Sequence, residues 1–491
     1  MQEKRRHTLV LGFASQVGSR LFTMALSIFS IAILARLLTP QDFGTISVAL
    51  TVVALADAVF DGAFAFSIIN RKILEKGYIE TAFNISLILA IVLATALLLF
   101  ADSFAEIIPF PNVGEVLKLM SVTLVIKAAG MIPRNLLARE QRLVELSMSA
   151  IAAAFLGSIV VSCGLAYLGY GVWSLAWGAI ATTLVETIIN FRQARPALAL
   201  VIDRDAARDV ISNGSLYSIS QILNWGVNSG TSLVAARVLG PADLGFYSRG
   251  NKLLELTTAA IGQPLMRVFL PSFARMKEDK EASRTLLVRA LSTSGFVFGM
   301  IGALASVNSA AIIELLLGHQ WDATIPVASI LFLSLLPRCN YKITESAAFG
   351  LGAASLAVRR QAMFAVVSIG AVFMGSQWGL HGVAIGVALS IWINYLISLT
   401  IAAKLVGMTF QNTIKLHAIP LALSGVTAAV NLGMLFVFSA LDVWLSRFIS
   451  GILTLFVVTS ILAISPSRFL SEDITRFRAK IGKRVEDRSI W

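Results

Sequence analysis

The chain is 491 residues long and 57% hydrophobic, with only 14% charged residues and a mean hydropathy of +0.80. Soluble domains run at about 45–50% apolar and about 25% charged, so an ordinary soluble enzyme or binding module is excluded. The net charge of +12 would suit a nucleic-acid binder, but the basic residues are spread over short connections between apolar runs, which excludes that class as well.

A bilayer-crossing helix needs about 20 mostly apolar residues. Fourteen such stretches are predicted, at 9–37, 43–69, 80–101, 116–133, 146–168, 172–191, 211–238, 244–271, 287–313, 323–346, 361–378, 382–403, 416–440 and 443–464. The first follows Lys4, Arg5 and Arg6 and stays apolar past Ala32, too long for a cleaved signal segment, so it reads as a span. One face of it carries Gln16, Arg20, Thr23 and Ser27 at steps of four, three and four. The phrase LARLLTPQDFG, Leu34 to Gly44, then turns the chain into the second span. Thr39 is placed to cap that helix, Pro40 to begin it and Asp42 to sit near the positive end of its dipole.

The second span holds Asp57 and Asp61 four apart on one face, the fourth holds Lys127 and the sixth Glu186. The seventh repeats the polar stripe of the first with Gln221, Asn224, Asn228 and Thr231. It ends in AARVLGPADLG, Ala235 to Gly245, the earlier phrase again at an offset of 201, with Gly240 for Thr39 and Pro241 for Pro40. The eighth carries Arg249, Lys252, Glu255 and Arg267, and Pro264 inside it removes a backbone hydrogen bond, as a hinge or as a static kink. A second echo, YGVW at 170–173 and HGVA at 381–384, opens spans six and twelve.

Spans one to six therefore correspond to spans seven to twelve in the same orientation, a parallel repeat about an axis along the membrane normal. The expected architecture is an all-α polytopic membrane protein with about fourteen transmembrane helices, two pseudo-symmetric six-helix bundles around a central cavity and two extra C-terminal helices. Its parts are an N-lobe at 1–200, a C-lobe at 201–406, spans thirteen and fourteen at 407–465 and a basic tail at 466–491. Thirty-one of the 40 lysines and arginines fall on alternate connections and the two ends, four of them around the connection between spans ten and eleven. That asymmetry places both termini in the cytoplasm, and the tail 476–484, RFRAKIGKR, can lie on anionic lipid. Cys163 and Cys339 imply no disulfide framework, and four scattered histidines offer no metal site.

Five stretches carry a family resemblance: LARLLTPQDFGTISVAL, RNLLAREQRLVELS at 134–147, YGVWSLAWG, GQPLMRVFLPSFARM at 262–276 and LLGHQWDATIPV at 316–327. In this order they resemble the polysaccharide transporter family, the Wzx-like and ExoT-like branch of the multidrug/oligosaccharidyl-lipid/polysaccharide flippase superfamily. The resemblance implies transfer of undecaprenyl-diphosphate-linked oligosaccharide units, such as those of succinoglycan-type exopolysaccharide or O-antigen, from the inner to the outer leaflet of the bacterial cytoplasmic membrane. Membrane lipid and a polysaccharide polymerase with its co-polymerase are the implied partners, and nucleic acid is not one.

Sugars and a diphosphate lose many hydrogen bonds to water if they enter hydrocarbon unaided, so such cargo needs a polar path. Charges at membrane depth usually face one. Arg20 and Lys127 are the leading candidates to bind the diphosphate, with Gln16, Gln221, Asn224, Asn228, Arg249, Lys252 and Arg267 as further cavity residues. The neutral residues serve equally as interhelical hydrogen-bond partners, and Lys252 with Glu255 equally as a local ion pair. Asp57, Asp61 and Glu186 are counter-charges to Arg20 or sites of coupling to a proton or sodium gradient; no cofactor or metal is expected. Pro40 and Pro241 build the hairpins. The rival within the fold is a MATE-like ion-coupled small-molecule antiporter, whose cationic drugs Arg20 and Lys127 would repel. The rival of another class is a membrane glycan polymerase or ligase, against which stand short outward segments, the longest near 101–115, and the lack of a nucleophile, metal or phosphate-loop signature.

Overall fold

The computed structural model describes residues 2–60, 68, 74–196, 199, 201–438, 446–447 and 449–454. Asp61, the basic tail, most of the fourteenth predicted span and the side chains of Gln16, Arg20, Asn224 and Asn228 lie outside the described residues. Among the described residues regular structure is helical throughout. In chain order the long helices are α1 (Gln2–Leu37), α2 (Pro40–Phe60), α3 (Lys76–Ile107), α4 (Val113–Arg139), α5 (Leu143–Tyr167) and α6 (Val172–Ala194). They continue with α7 (204–238), α8 (Pro241–Arg275), α9 (Lys280–Val307), α10 (324–350), α11 (Ala354–Gly375), α12 (Gly379–Leu405) and α13 (Phe410–Val437). Eight described stretches are long and apolar enough to cross a membrane on length and composition alone.

Several helices begin earlier than their apolar runs because a capping side chain, not hydrophobicity, sets the start. Asp203 accepts from the Ala206 amide at 2.8 Å ahead of α7, and Asp279 from the Ala282 amide at 2.9 Å ahead of α9. Thr39 and Asp42 form a reciprocal box ahead of α2: the Asp42 amide donates to the Thr39 hydroxyl at 3.3 Å, and the Thr39 amide donates to the Asp42 carboxylate at 2.9 Å.

The contacts divide the chain into two compact units. The first holds the residues up to Ser248 together with Leu316–Trp321, the second Arg249–Leu315 and the chain from Asp322 onward.

In the first unit small residues let helices approach closely. Gly130 of α4 meets Thr187 of α6, and Gly157 of α5 meets Thr182 of α6. Within α5 the stretch Phe155–Cys163 is π-helical, and the Ser30 hydroxyl of α1 donates to the Ser158 carbonyl in it at 3.4 Å. A second π-helical turn, Gly226–Gly230, interrupts α7 between Arg204–Trp225 and Thr231–Val238.

The two copies of the repeated phrase meet in this unit. A Cβ on Gly44 would run into the carbonyl of Pro241, and a Cβ on Gly245 into the carbonyl of Pro40. The first turns of α2 and α8 thus meet reciprocally, each glycine lying against the proline carbonyl of the other copy. Trp321 is fully buried beside this contact, with its ring edge-on to Phe43 at 5.2 Å and to Phe246 at 5.8 Å. Its indole N–H donates to the Ala35 carbonyl at 2.8 Å, and the Gln320 amide donates to the Ala35 and Leu38 carbonyls. Gln320 and Trp321 therefore satisfy acceptors that the end of α1 leaves unpaired.

In the second unit α11 and α12 pack along a seam where Gly375 lies against the Gly382 carbonyl, Gly382 against the Gly375 carbonyl and Gly386 against the Ala371 carbonyl. Helix α10 is nearly all buried across Leu335–Ala348 and packs on α9 and α12. Gly350 is held against Phe273 of α8.

Candidate functional site

Each unit holds ionised side chains within its helices. In the first, Lys127 stands at the midpoint of the 27-residue α4 and its Nζ donates to the Asp57 carboxylate of α2 at 2.5 Å. The side chains are 37% and 27% exposed, so the pair is neither sealed in the bundle nor free of it. Glu186 is half-buried on α6, and its neighbour Thr187 donates to the Ile126 carbonyl at 3.2 Å, bringing α6 beside this part of α4. Asp57, expected as a counter-charge to Arg20 or a coupling site, is held by Lys127, and the Arg20 side chain lies outside the described residues.

The polar stripe of α1 is partly spent on its own backbone. Thr23 donates to the Ser19 carbonyl at 2.9 Å and Ser27 to the Thr23 carbonyl at 2.8 Å. In α7, Gln221 is half-buried, Ser218 donates to the Val59 carbonyl at 3.1 Å and the Trp225 indole donates to the Thr51 carbonyl at 3.0 Å. These bonds tie α7 to α2.

On α8, Arg249 is half-buried and Arg267 exposed. Lys252 and Glu255 form the i, i+3 pair at 3.7 Å, and the Asn251 amide donates to Glu255 at 2.9 Å. Pro264 is exposed and lies within a helix that runs unbroken from Pro241 to Arg275.

Among the described residues a buried charge cluster lies where the sequence reading placed only connection residues. Of the four basic residues it counted at the connection between spans ten and eleven, Arg359 is exposed and Arg360 only 3% exposed. Arg360 donates one guanidinium nitrogen to Glu345 of α10 at 2.8 Å and the other to the Asn394 side-chain oxygen of α12. The second oxygen of Glu345 accepts from Lys342 at 3.0 Å. Lys342 Nζ lies 4.5 Å from the centre of the Tyr341 ring, over which the Arg360 guanidinium also stacks at 5.5 Å. Two cations thus share one carboxylate, and the cluster ties α10, α11 and α12 together. The signal for it was the Lys-x-x-Glu spacing at 342–345 inside an apolar helix, one turn apart on one face.

Beside it runs a second buried chain. The Ser294 hydroxyl of α9 donates to the Asn340 side-chain oxygen at 2.7 Å, the Asn340 amide donates to the Tyr395 hydroxyl at 3.4 Å, and that hydroxyl meets His417 Nε2 of α13. His417 Nδ1 lies 2.9 Å from the Thr413 carbonyl, an acceptor only, so Nδ1 carries the proton and Nε2 accepts from Tyr395.

A helical bundle with eight described stretches long and apolar enough to cross a membrane defines a multi-pass membrane protein. The solved structure of the lipid II flippase MurJ, in an inward closed conformation, matches with a TM-score of 0.73 at 12% identity over 92% of this chain and 98% of that one. The chain belongs to the polysaccharide biosynthesis protein family, whose sequence profile matches residues 33–326. Among curated relatives it is 27% identical to the succinoglycan biosynthesis transport protein ExoT of Rhizobium meliloti (strain 1021) over 342 residues, 69% of this chain and 68% of that protein. It is 25% identical to the lipopolysaccharide biosynthesis protein WzxC of Escherichia coli (strain K12) over 423 residues, 83% of this chain and 84% of that one.

Proposed function

We propose that this chain is a flippase that moves an undecaprenyl-diphosphate-linked oligosaccharide repeat unit from the inner to the outer leaflet of the bacterial cytoplasmic membrane. Its termini lie in the cytoplasm, and it works by alternating access. The observation that carries this reading is the Lys127–Asp57 pair. An ion pair at the middle of a membrane-length helix, with about a third of each side chain exposed, is too costly against acyl chains and calls for a water-accessible path. Membership of the polysaccharide biosynthesis family and the likeness to a succinoglycan transport protein supply the cargo class. A diphosphate headgroup in such a path would compete with Asp57 for that lysine.

The test is the lipid that accumulates in a deletion strain. Completed oligosaccharide units on undecaprenyl diphosphate held at the inner leaflet support export, whereas units delivered to the outer leaflet but left unpolymerised would make the chain an enzyme and sink the flippase reading. Lys127→Ala should abolish export while the protein still inserts.

A further inference from the structure

The fourth long helix of each half carries a partly exposed lysine, Lys127 in α4 and Lys342 in α10, each engaged by a carboxylate, though not at equivalent positions of the repeat. Their charge balances differ. Lys127 and Asp57 pair one to one and cancel. In the second unit Glu345 is shared, and Arg360, 3% exposed and always charged, has the prior claim on it. The cluster of Lys342, Glu345 and Arg360 therefore holds one positive charge more than it neutralises, and of its two cations only Lys342, 21% exposed, can be reached. Lys342 is eight residues inside the end of α10 at Gly350, about 12 Å along the helix axis. A Cβ on Gly262 of α8 would meet the Lys342 stem at 3.5 Å, so α8 packs closely along that stem.

We propose that Lys342 is an anion-contact residue for a diphosphate oxyanion, and that Arg360 and Glu345 are positioning residues that set its charge. The inference rests on the flippase reading and adds a contact in the second unit that the cavity candidates did not include. Arg360 cannot touch a ligand, yet it determines whether Lys342 is already neutralised. Losing it would give Glu345 wholly to Lys342 and weaken anion binding without removing any contact.

The test uses the full chain in phosphatidylcholine nanodiscs, titrated calorimetrically with farnesyl diphosphate and, as the uncharged control, farnesol. The wild type should bind the diphosphate and not the alcohol. Lys342→Gln should bind about tenfold more weakly or worse, the size of one charged hydrogen bond, and Lys342→Arg within about threefold of wild type. Arg360→Gln should bind more weakly too, which a purely structural brace between α10, α11 and α12 would not produce in a protein that remains folded. Undiminished binding by Lys342→Gln overturns the site and leaves the flippase reading standing. No binding by the wild type overturns both. In discs containing phosphatidylglycerol the gap between wild type and Lys342→Gln should persist; if it closes, Lys342 holds a membrane lipid headgroup and the assignment to cargo is overturned.

Discussion

The contact between the two repeated phrases makes a quantitative demand. Gly44→Ala would place a methyl group 2.8 Å from the Pro241 carbonyl carbon and 3.2 Å from its Cα, and closer still to the carbonyl oxygen. Carbon atoms rest at about 3.5–4.0 Å, so the helices must part by about 0.7 Å or more, and the obstructing atoms are backbone, which has no rotamer to change. Overpacking of this kind costs about 1–3 kcal/mol, against which the better helix propensity of alanine returns about 1 kcal/mol. With backbone atoms so far inside contact distance the upper end of that cost applies, and a net loss of about 2 kcal/mol is expected in SDS-induced unfolding from mixed micelles. Gly245→Ala, with Pro40 atoms at 2.7 and 3.1 Å, should cost the same. The double variant should cost much less than the sum, because the first methyl has already opened the gap. Gly433→Ala in α13, where a Cβ meets nothing within 4 Å, is the control and should be neutral or mildly stabilising. Strict additivity of the two alanines, or a Gly44→Ala protein as stable as wild type, would refute the reciprocal contact.

Three further outcomes are expected. Trp321→Phe keeps the ring contacts with Phe43 and Phe246 but leaves the Ala35 carbonyl without the indole N–H, and should lose about 1 kcal/mol in the same unfolding assay. Thr39→Ala removes one half of the capping box and should lose about 1 kcal/mol, whereas Thr39→Ser should recover most of it. Tyr395→Phe leaves His417 Nε2 and the Asn340 amide without their shared partner in a buried position, and should cost about 1–3 kcal/mol, with near-wild-type behaviour counting against the hydrogen-bond chain.

What the sequence disclosed depended on what leaves a periodic trace. Apolar runs of membrane length marked out the helices α1 to α13, and the phrase at Leu34–Gly44 and Ala235–Gly245 declared the duplication, because Pro, Asp and Gly at fixed steps mark a helix start. The same phrase concealed its second purpose. That Gly44 and Gly245 lie against each other's prolines is a contact across about 200 residues, and a chain read linearly has no signal for it. Lys127 stood out as a lone charge in an apolar run, but nothing local assigns Asp57 to it, since the two are 70 positions apart on different helices. Lys342 and Arg360 were missed for another reason. Both were counted among the basic residues around the connection between spans ten and eleven, where charge was read as orientation, whereas the structure draws them together onto Glu345. Likewise Asn340, Tyr395 and His417 are unremarkable singly and form a chain only once α10, α12 and α13 are packed.

The meeting of α2 with α8 is made of hydrogen atoms on a glycine and the oxygen of a peptide bond, and such a joint has nothing to titrate and nothing for salt to screen. Changes of acidity or ionic strength will leave it indifferent, and only bulk will separate it. Any signal that reaches it must arrive as motion of the helices themselves.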